Sequence, residues 1–372
     1  MRLFRGTVVL ALAWLVPLCA GAQARDVGPE AATGREEKQA VVASRTMVVA
    51  ANLHAVDAGI EILRAGGGAV DAAIAVQMVL GLVEPQSSGI GGGAFLLHWS
   101  QEAKRVRSYD GRETAPAAAR ADRFLASDGK PLPPREAVVG GRSVGVPGVL
   151  RMLELAHREH GRLPWARLFE PAIRLAESGF PMSRRLHRLL EREQALRGDS
   201  MARQLFYGAD GRARPVGERI INAEYAATLR AVAGGVGAFY SGAIAEDLVR
   251  AVRAHAGDLT LDDLARYAAL ERAPVCGPYR AWRVCGMGPP SSGAIAVLQM
   301  LGILERSSFG RAAPQSAEAL HLFSEAARLA YADRLRYVAD PAFVPQPVAG
   351  LLAPDYLDAR ARLIGERSMG RA

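Results

Sequence analysis

Leu63-Arg64-Ala65-Gly66-Gly67-Gly68-Ala69-Val70-Asp71-Ala72-Ala73, with Gly89-Ile90-Gly91-Gly92-Gly93-Ala94-Phe95 a short way downstream, decides how this chain is read. Ahead of the first triplet of glycines, Val56, Ile60 and Leu63 share one helical face, and Gly66-Gly67-Gly68 ends that helix. Ala69 to Leu82 is almost wholly apolar, which predicts a helix buried on all sides, and Pro85 follows its end. The second glycine run is then a loop. Ala94–Trp99 and Arg105–Asp110 read as a pair of strands behind it, and Val48-Val49-Ala50 as a short strand ahead of the first helix.

Outward from this centre, helices dominate. Pro147-Gly148 starts one over 149–160, and further helical patterns cover 165–178, 222–233, 243–255, 261–267, 315–335 and 354–365. Residues 130–215 are rich in Gly, Pro and Arg and are expected to hold long loops. Residues 23–45 read as a flexible lead-in, and neither a repeat nor a clean linker breaks the remainder. The chain has 372 residues, 50% apolar and 23% charged, so one large packed unit is expected and whole-chain disorder or collagen is excluded. No apolar run of roughly 18–20 residues follows the N-terminus, which excludes a helical polytopic membrane protein.

The formal net charge is +8, yet all but three of the 46 basic residues are Arg (the exceptions are Lys38, Lys104 and Lys130). They are scattered among Asp and Glu with no interleaved aromatics, so nucleic acid is not an expected partner. Arg2 and Arg5 precede an apolar run from Thr7 to Ala20, and Ala20-Gly21-Ala22 supplies small residues. This is the pattern of a cleaved signal peptide over residues 1–22, too short for a stable membrane anchor. Leu18 is too large for a lipoprotein signal before Cys19. The mature chain is expected to cross the inner membrane, with a periplasmic destination. Cleavage leaves Cys276 and Cys285, on two short strands around a turn, and an oxidising compartment favours a disulfide between them over two unpaired thiols.

Other motifs carry little. Gly89-x-Gly91-x-x-Ala94 fits a loose dinucleotide pattern, but that pattern needs strand, loop, helix, and here the order is helix, loop, strand. The glycines are better read as permitting close backbone approach. His157 and His160 lack a third ligand at useful spacing, so they read as surface residues of a helix. There is no Gly-x-Ser-x-Gly elbow and no phosphate-binding Gly-Lys loop.

Several segments taken together carry more. Met47–Asn52, Leu63–Ala73, Gly89–Phe95, Tyr109-Asp110-Gly111-Arg112-Glu113-Thr114-Ala115-Pro116, Ser143–Gly148, Pro289-Pro290-Ser291-Ser292-Gly293 and Ala330–Arg334 occur in that order. Their order and spacing resemble the large subunit of γ-glutamyltransferase (γ-glutamyltranspeptidase, glutathione hydrolase) from about residue 40 onward. The resemblance implies an α+β N-terminal-nucleophile hydrolase fold, a four-layer αββα sandwich, of which residues 46–372 supply the large-subunit part. It implies a zymogen that cuts itself, making a Thr the new N-terminus of a small subunit. A Thr hydroxyl is a weak nucleophile, and the free α-amine on the same residue serves as its base. The acyl-enzyme formed from a γ-glutamyl amide such as glutathione is then released by water or by an amino-acid or peptide acceptor. No cofactor or metal is implied.

This chain has no Thr after Thr260 and no His after His321, so the family's Thr-led junction is not in it. The expectation is a truncated or split precursor, inactive alone, with an apolar face that the small subunit would cover and poor solubility as a lone chain. Among its own residues, Arg112 is the substrate-binding candidate. The resemblance implies a clamp on the α-carboxylate of the γ-glutamyl group, and guanidinium pairs with carboxylate in a bidentate geometry that Lys does not reproduce. The clamp favours an amino-acid-like donor over the β-lactam side chain that related acylases take. Ser291 and Ser292 have no adjacent base and read as a loop closed by hydrogen bonds. Tyr331, Asp333 and Arg334 read as a buried polar network. A competing reading is a non-catalytic remnant or secreted binding module.

Overall fold

The computed structural model describes residues 39–371, so the signal-peptide segment, Cys19 and most of the lead-in lie outside the described residues. The elements that place the site are α1 (Leu53–Arg64), α2 (Ala69–Val83), β1 (Ala94–Ser100), β2 (Arg105–Gly111), α3 (Val149–His160), α4 (Glu170–Ser178), α5 (Arg184–Arg192), α6 (Ala223–Ala233), α7 (Ala243–Ala254), β3 (Leu270–Arg272), β4 (Val275–Tyr279), β5 (Trp282–Gly286), α8 (Gly293–Glu305), α9 (Ala317–Tyr337) and α10 (Pro354–Ala361).

Helix α1 begins at Asn52, whose side chain accepts the His54 N–H, and stops where Gly66 takes a positive φ of 94°. Helix α2 is capped by Asp71, which is fully buried. Its Oδ2 accepts the Gly68 N–H at 2.7 Å and the Arg162 N–H at 3.0 Å, so one carboxylate ties the start of α2 to the turn after α3. Most of α2 is buried as expected, but Ala69 and Ala73 form a narrow exposed strip. Ile62, Ile74, Met78, Leu150, Leu153, Phe169, Leu186, Leu229 and Tyr240 belong to one apolar core beneath α1 to α7. A smaller core, with Ile303, Leu304, Leu322, Ala326, Leu329 and Leu357, joins α8, α9 and α10.

Strands β1 and β2 pair antiparallel in the register Phe95↔Asp110 and Leu97↔Ser108, and β3 adds to the other edge of β2 through Ser108↔Arg272 and Asp110↔Leu270. The third strand arrives from some 160 residues downstream, and no local pattern announces it. Helix α3 covers one face of this sheet, where Tyr109 is fully buried. The other face carries Phe95, Leu97, Trp99 and Leu270; Leu97, Trp99 and Leu270 are 46%, 52% and 48% exposed. Strands β4 and β5 form a separate hairpin packed on α8, with Cys276 opposite Cys285 and a disulfide joining them.

Two expectations fail here. Val48–Ala50 is not a strand, because no neighbouring strand offers it a ladder; Val48 instead packs over Gly59 of α1. The stretch 130–215 holds less long loop than expected, because beside the anticipated α3 and α4 it also carries α5 and the helix Ser200–Phe206. In α5 only Leu186 and Leu190 are buried, and the surrounding Arg residues mask their spacing.

Candidate functional site

Three of the quoted segments meet in one ledge. The Gly92 carbonyl accepts the N–H groups of Gly148 (2.9 Å) and Val149 (3.1 Å), so the glycine loop clasps the start of α3. Across from it, the Val146 N–H bonds to the Thr114 carbonyl at 2.8 Å. Gly93 must be Gly: a Cβ there would lie 2.5 Å from the Gly111 carbonyl oxygen and 2.7 Å from the Glu113 nitrogen. The glycine loop permits this close backbone approach.

Arg112 stands on the rim of this ledge, immediately after β2. Its side chain is 63% exposed, and among the described residues its one acidic partner is Glu113, with Nε to Oε2 at 3.5 Å. Its backbone is held on both sides. The Arg112 N–H donates to Asp110 Oδ1 at 2.8 Å, and the Tyr267 hydroxyl donates to the Arg112 carbonyl at 2.7 Å. Asp110 is buried, and its Oδ2 accepts from Arg272 Nε at 2.5 Å. Burial raises the Tyr267 pKa, aided by the neighbouring Tyr240, so its hydroxyl stays a proton donor. An exposed guanidinium on a fixed backbone, free of a strong internal ion pair, is suited to a carboxylate from outside the chain.

The profile of the family described as Gamma-glutamyltranspeptidase matches residues 55–371. The chain belongs to the gamma-glutamyltranspeptidase family. It is 38% identical to the glutathione hydrolase proenzyme of Bacillus subtilis (strain 168), over 88% of this chain and 56% of that protein. It is 39% identical to the acylase ACY 1 proenzyme of Pseudomonas sp. (strain V22), over 88% of this chain and 60% of that one. The crystal structure of Helicobacter pylori gamma-glutamyltranspeptidase superposes with a TM-score of 0.84 at 29% identity, over 89% of this chain and 95% of that chain. The chain thus spans little more than half the length of the curated relatives it matches. Its fold is the large-subunit part of the N-terminal-nucleophile hydrolase sandwich, with mixed helix and sheet.

In this gamma-glutamyltranspeptidase-family chain the remaining candidates fall as follows. Ser291 and Ser292 close a loop: the Gly293 N–H donates to Ser291 Oγ (3.1 Å) and Arg334 Nε to Ser292 Oγ (2.9 Å). Asp333 is buried and accepts from Gln299 Nε2 (2.8 Å), Tyr356 (2.9 Å) and Arg360 Nη2 (3.0 Å). Tyr331 and Arg334 are exposed and stand outside that network, which corrects the expected trio: residues two or three apart in a helix do not all share its buried face.

The histidines also differ from expectation. His157 bonds to the Leu163 carbonyl at 2.9 Å and sits near Asp71, and His160 meets the Tyr109 hydroxyl at 2.7 Å while stacking on His98 at 4.0 Å. Both are half-buried because α3 lies against neighbours there, not against solvent. No metal-holding group of three or more His, Cys, Asp or Glu side chains exists among the described residues. Sequence reasoning missed Asp110, Tyr267 and Arg272 as supports of Arg112; Tyr267 and Arg272 sit some 155 to 162 residues away in the chain from the groups they bond.

Proposed function

We propose that this chain is the large-subunit part of an exported enzyme that cleaves γ-glutamyl amides such as glutathione. It acts with a small subunit that supplies the Thr nucleophile and the oxyanion donors. The acyl-enzyme passes its γ-glutamyl group to water or to an amino-acid or peptide acceptor. Arg112 holds the donor's α-carboxylate. The observation that carries this reading is the exposed, weakly paired Arg112 guanidinium on a backbone pinned at both ends.

Other features support the assembly. The uncovered sheet face at Leu97, Trp99 and Leu270 is where a second sheet layer would pack. Helix α9 shows Leu320, Phe323, Tyr331 and Leu335 as an exposed stripe, opposite the face that buries Leu322, Ala326 and Leu329. We read 46–372 as the enzyme unit, 1–22 as a signal peptide and the periplasm as its compartment. The Cys276–Cys285 bridge fits an oxidising destination. No helix among the described residues is long and apolar enough to cross a membrane.

Hydrolysis of a chromogenic γ-glutamyl anilide tests the reading. The chain alone should be inactive and a family small subunit should restore turnover. Arg112→Ala should then lower kcat/KM by about 1.5–3 kcal/mol, or roughly 10- to 150-fold, with Arg112→Lys recovering little. Full activity in Arg112→Ala refutes the clamp. No turnover with any family small subunit favours a non-catalytic binding module.

A further inference from the structure

We propose that Asp110 is a positioning residue that aims the Arg112 guanidinium through the Arg112 backbone, with Tyr267 and Arg272 completing the mount. This rests on the reading of Arg112 as the carboxylate clamp. The Arg112 side chain is too exposed for packing to set its direction, and Glu113 touches it only at 3.5 Å. Its aim therefore depends on where its Cα is held. Asp110 Oδ1 takes the Arg112 N–H at 2.8 Å, a side-chain turn two residues back that ends β2 and throws Arg112 outward. The other carboxylate oxygen is occupied by Arg272 from β3 at 2.5 Å, and the Arg272 carbonyl in turn accepts the Ser108 hydroxyl at 2.6 Å.

On the far side of the peptide, the Tyr267 hydroxyl fixes the Arg112 carbonyl at 2.7 Å. Both supports are buried, Asp110 at 6% and Tyr267 at 8% exposure, so neither is free to swing. One side chain controls the N–H and another the C=O of the same residue, which leaves its φ and ψ little freedom. A second ion pair between the same two strands, Arg107 with Glu271, lies on the opposite face of the sheet and does not touch Arg112. It separates positioning from strand pairing.

The experiment uses the chain assembled with a family small subunit and a γ-glutamyl anilide donor. Asp110→Ala and Tyr267→Phe should each raise KM roughly tenfold with a smaller change in kcat, because a displaced clamp weakens donor binding. In an Arg112→Ala background the same substitutions should add almost nothing, since they act through the group already removed. Glu271→Gln should leave KM unchanged. If Asp110→Ala does not fold, Tyr267→Phe carries the same double-mutant cycle. The proposal is overturned if the losses add fully in the Arg112→Ala background, or if Glu271→Gln raises KM as much. It is also overturned, with the clamp standing, if Arg112→Ala raises KM while Asp110→Ala and Tyr267→Phe do not. An unchanged KM in Arg112→Ala alone removes the clamp and this proposal with it.

Discussion

Replacing Gly148 by Ala tests whether the ledge is as tightly built as it looks. A Cβ at this position would lie 2.0 Å from the Tyr267 hydroxyl oxygen and 2.3 Å from the Gly111 carbonyl oxygen. Carbon and oxygen rest comfortably at about 3.3–3.6 Å, so one or both neighbours must retreat by about 1 Å. The Gly148 φ of −123° suits any residue, so crowding is the whole penalty. The Gly111 oxygen is backbone at the end of β2, and Tyr267 is the residue that holds the Arg112 carbonyl. Overpacking of this kind costs about 1–3 kcal/mol, and losing the Tyr267 bond adds about 0.5–1.5 kcal/mol. A fall in Tm of roughly 2–6 °C follows for a chain of this size. Urea denaturation should show a lower midpoint at unchanged slope. Gly350→Ala is the control, because a Cβ there meets nothing within 4 Å. If Gly148→Ala melts with the parent, the close approach is not real and the reasoning about the ledge is wrong.

Acidification gives a second prediction. Burial lowers the pKa of His98, with His160 and then Arg107 adding to it, and burial followed by Arg107 lowers that of His160, both from an ordinary 6.5. The unfolded chain therefore binds these protons more readily, so stability should hold above about pH 6.5 and decline below it, before carboxylates titrate. Melting curves between pH 7.5 and 5 check this, and His160→Gln should flatten the decline. Asp333→Ala should destabilise by about 3–5 kcal/mol, since it strands the Arg360 charge. Tyr356→Phe should lose only about 0.5–1.5 kcal/mol in the same denaturation assay.

Local patterns carried the reading where an element decides its own fate. Helices α1 and α2, the β1–β2 pair and the cysteine hairpin are each visible in spacing and punctuation. Arg112 became a candidate through the order of seven segments rather than through its neighbours. What stayed hidden depends on residues far apart in the chain. Strand β3, Tyr267 and Arg272 come to Arg112 only through the completed fold, and His160 is sheltered by a strand that no helix pattern names. Val48–Ala50 shows the converse: β-branched residues make a strand only where another strand is present to pair with.

Asp71 and Asp333 are both buried carboxylates, yet they face different prospects under mutation. Asp333 is bound by three side chains, Gln299, Tyr356 and Arg360, and such a set can be exchanged together for apolar residues of similar volume. The strong partners of Asp71 are the backbone N–H groups of Gly68 and Arg162. Because these donors are backbone N–H groups, a side-chain change at position 68 or 162, proline apart, leaves them in place and in need of an acceptor. A change at position 71 therefore has fewer routes to second-site repair, and a suppressor screen begun from Asp71→Ala should return mainly revertants, whereas one begun from Asp333→Ala should return changes at Arg360.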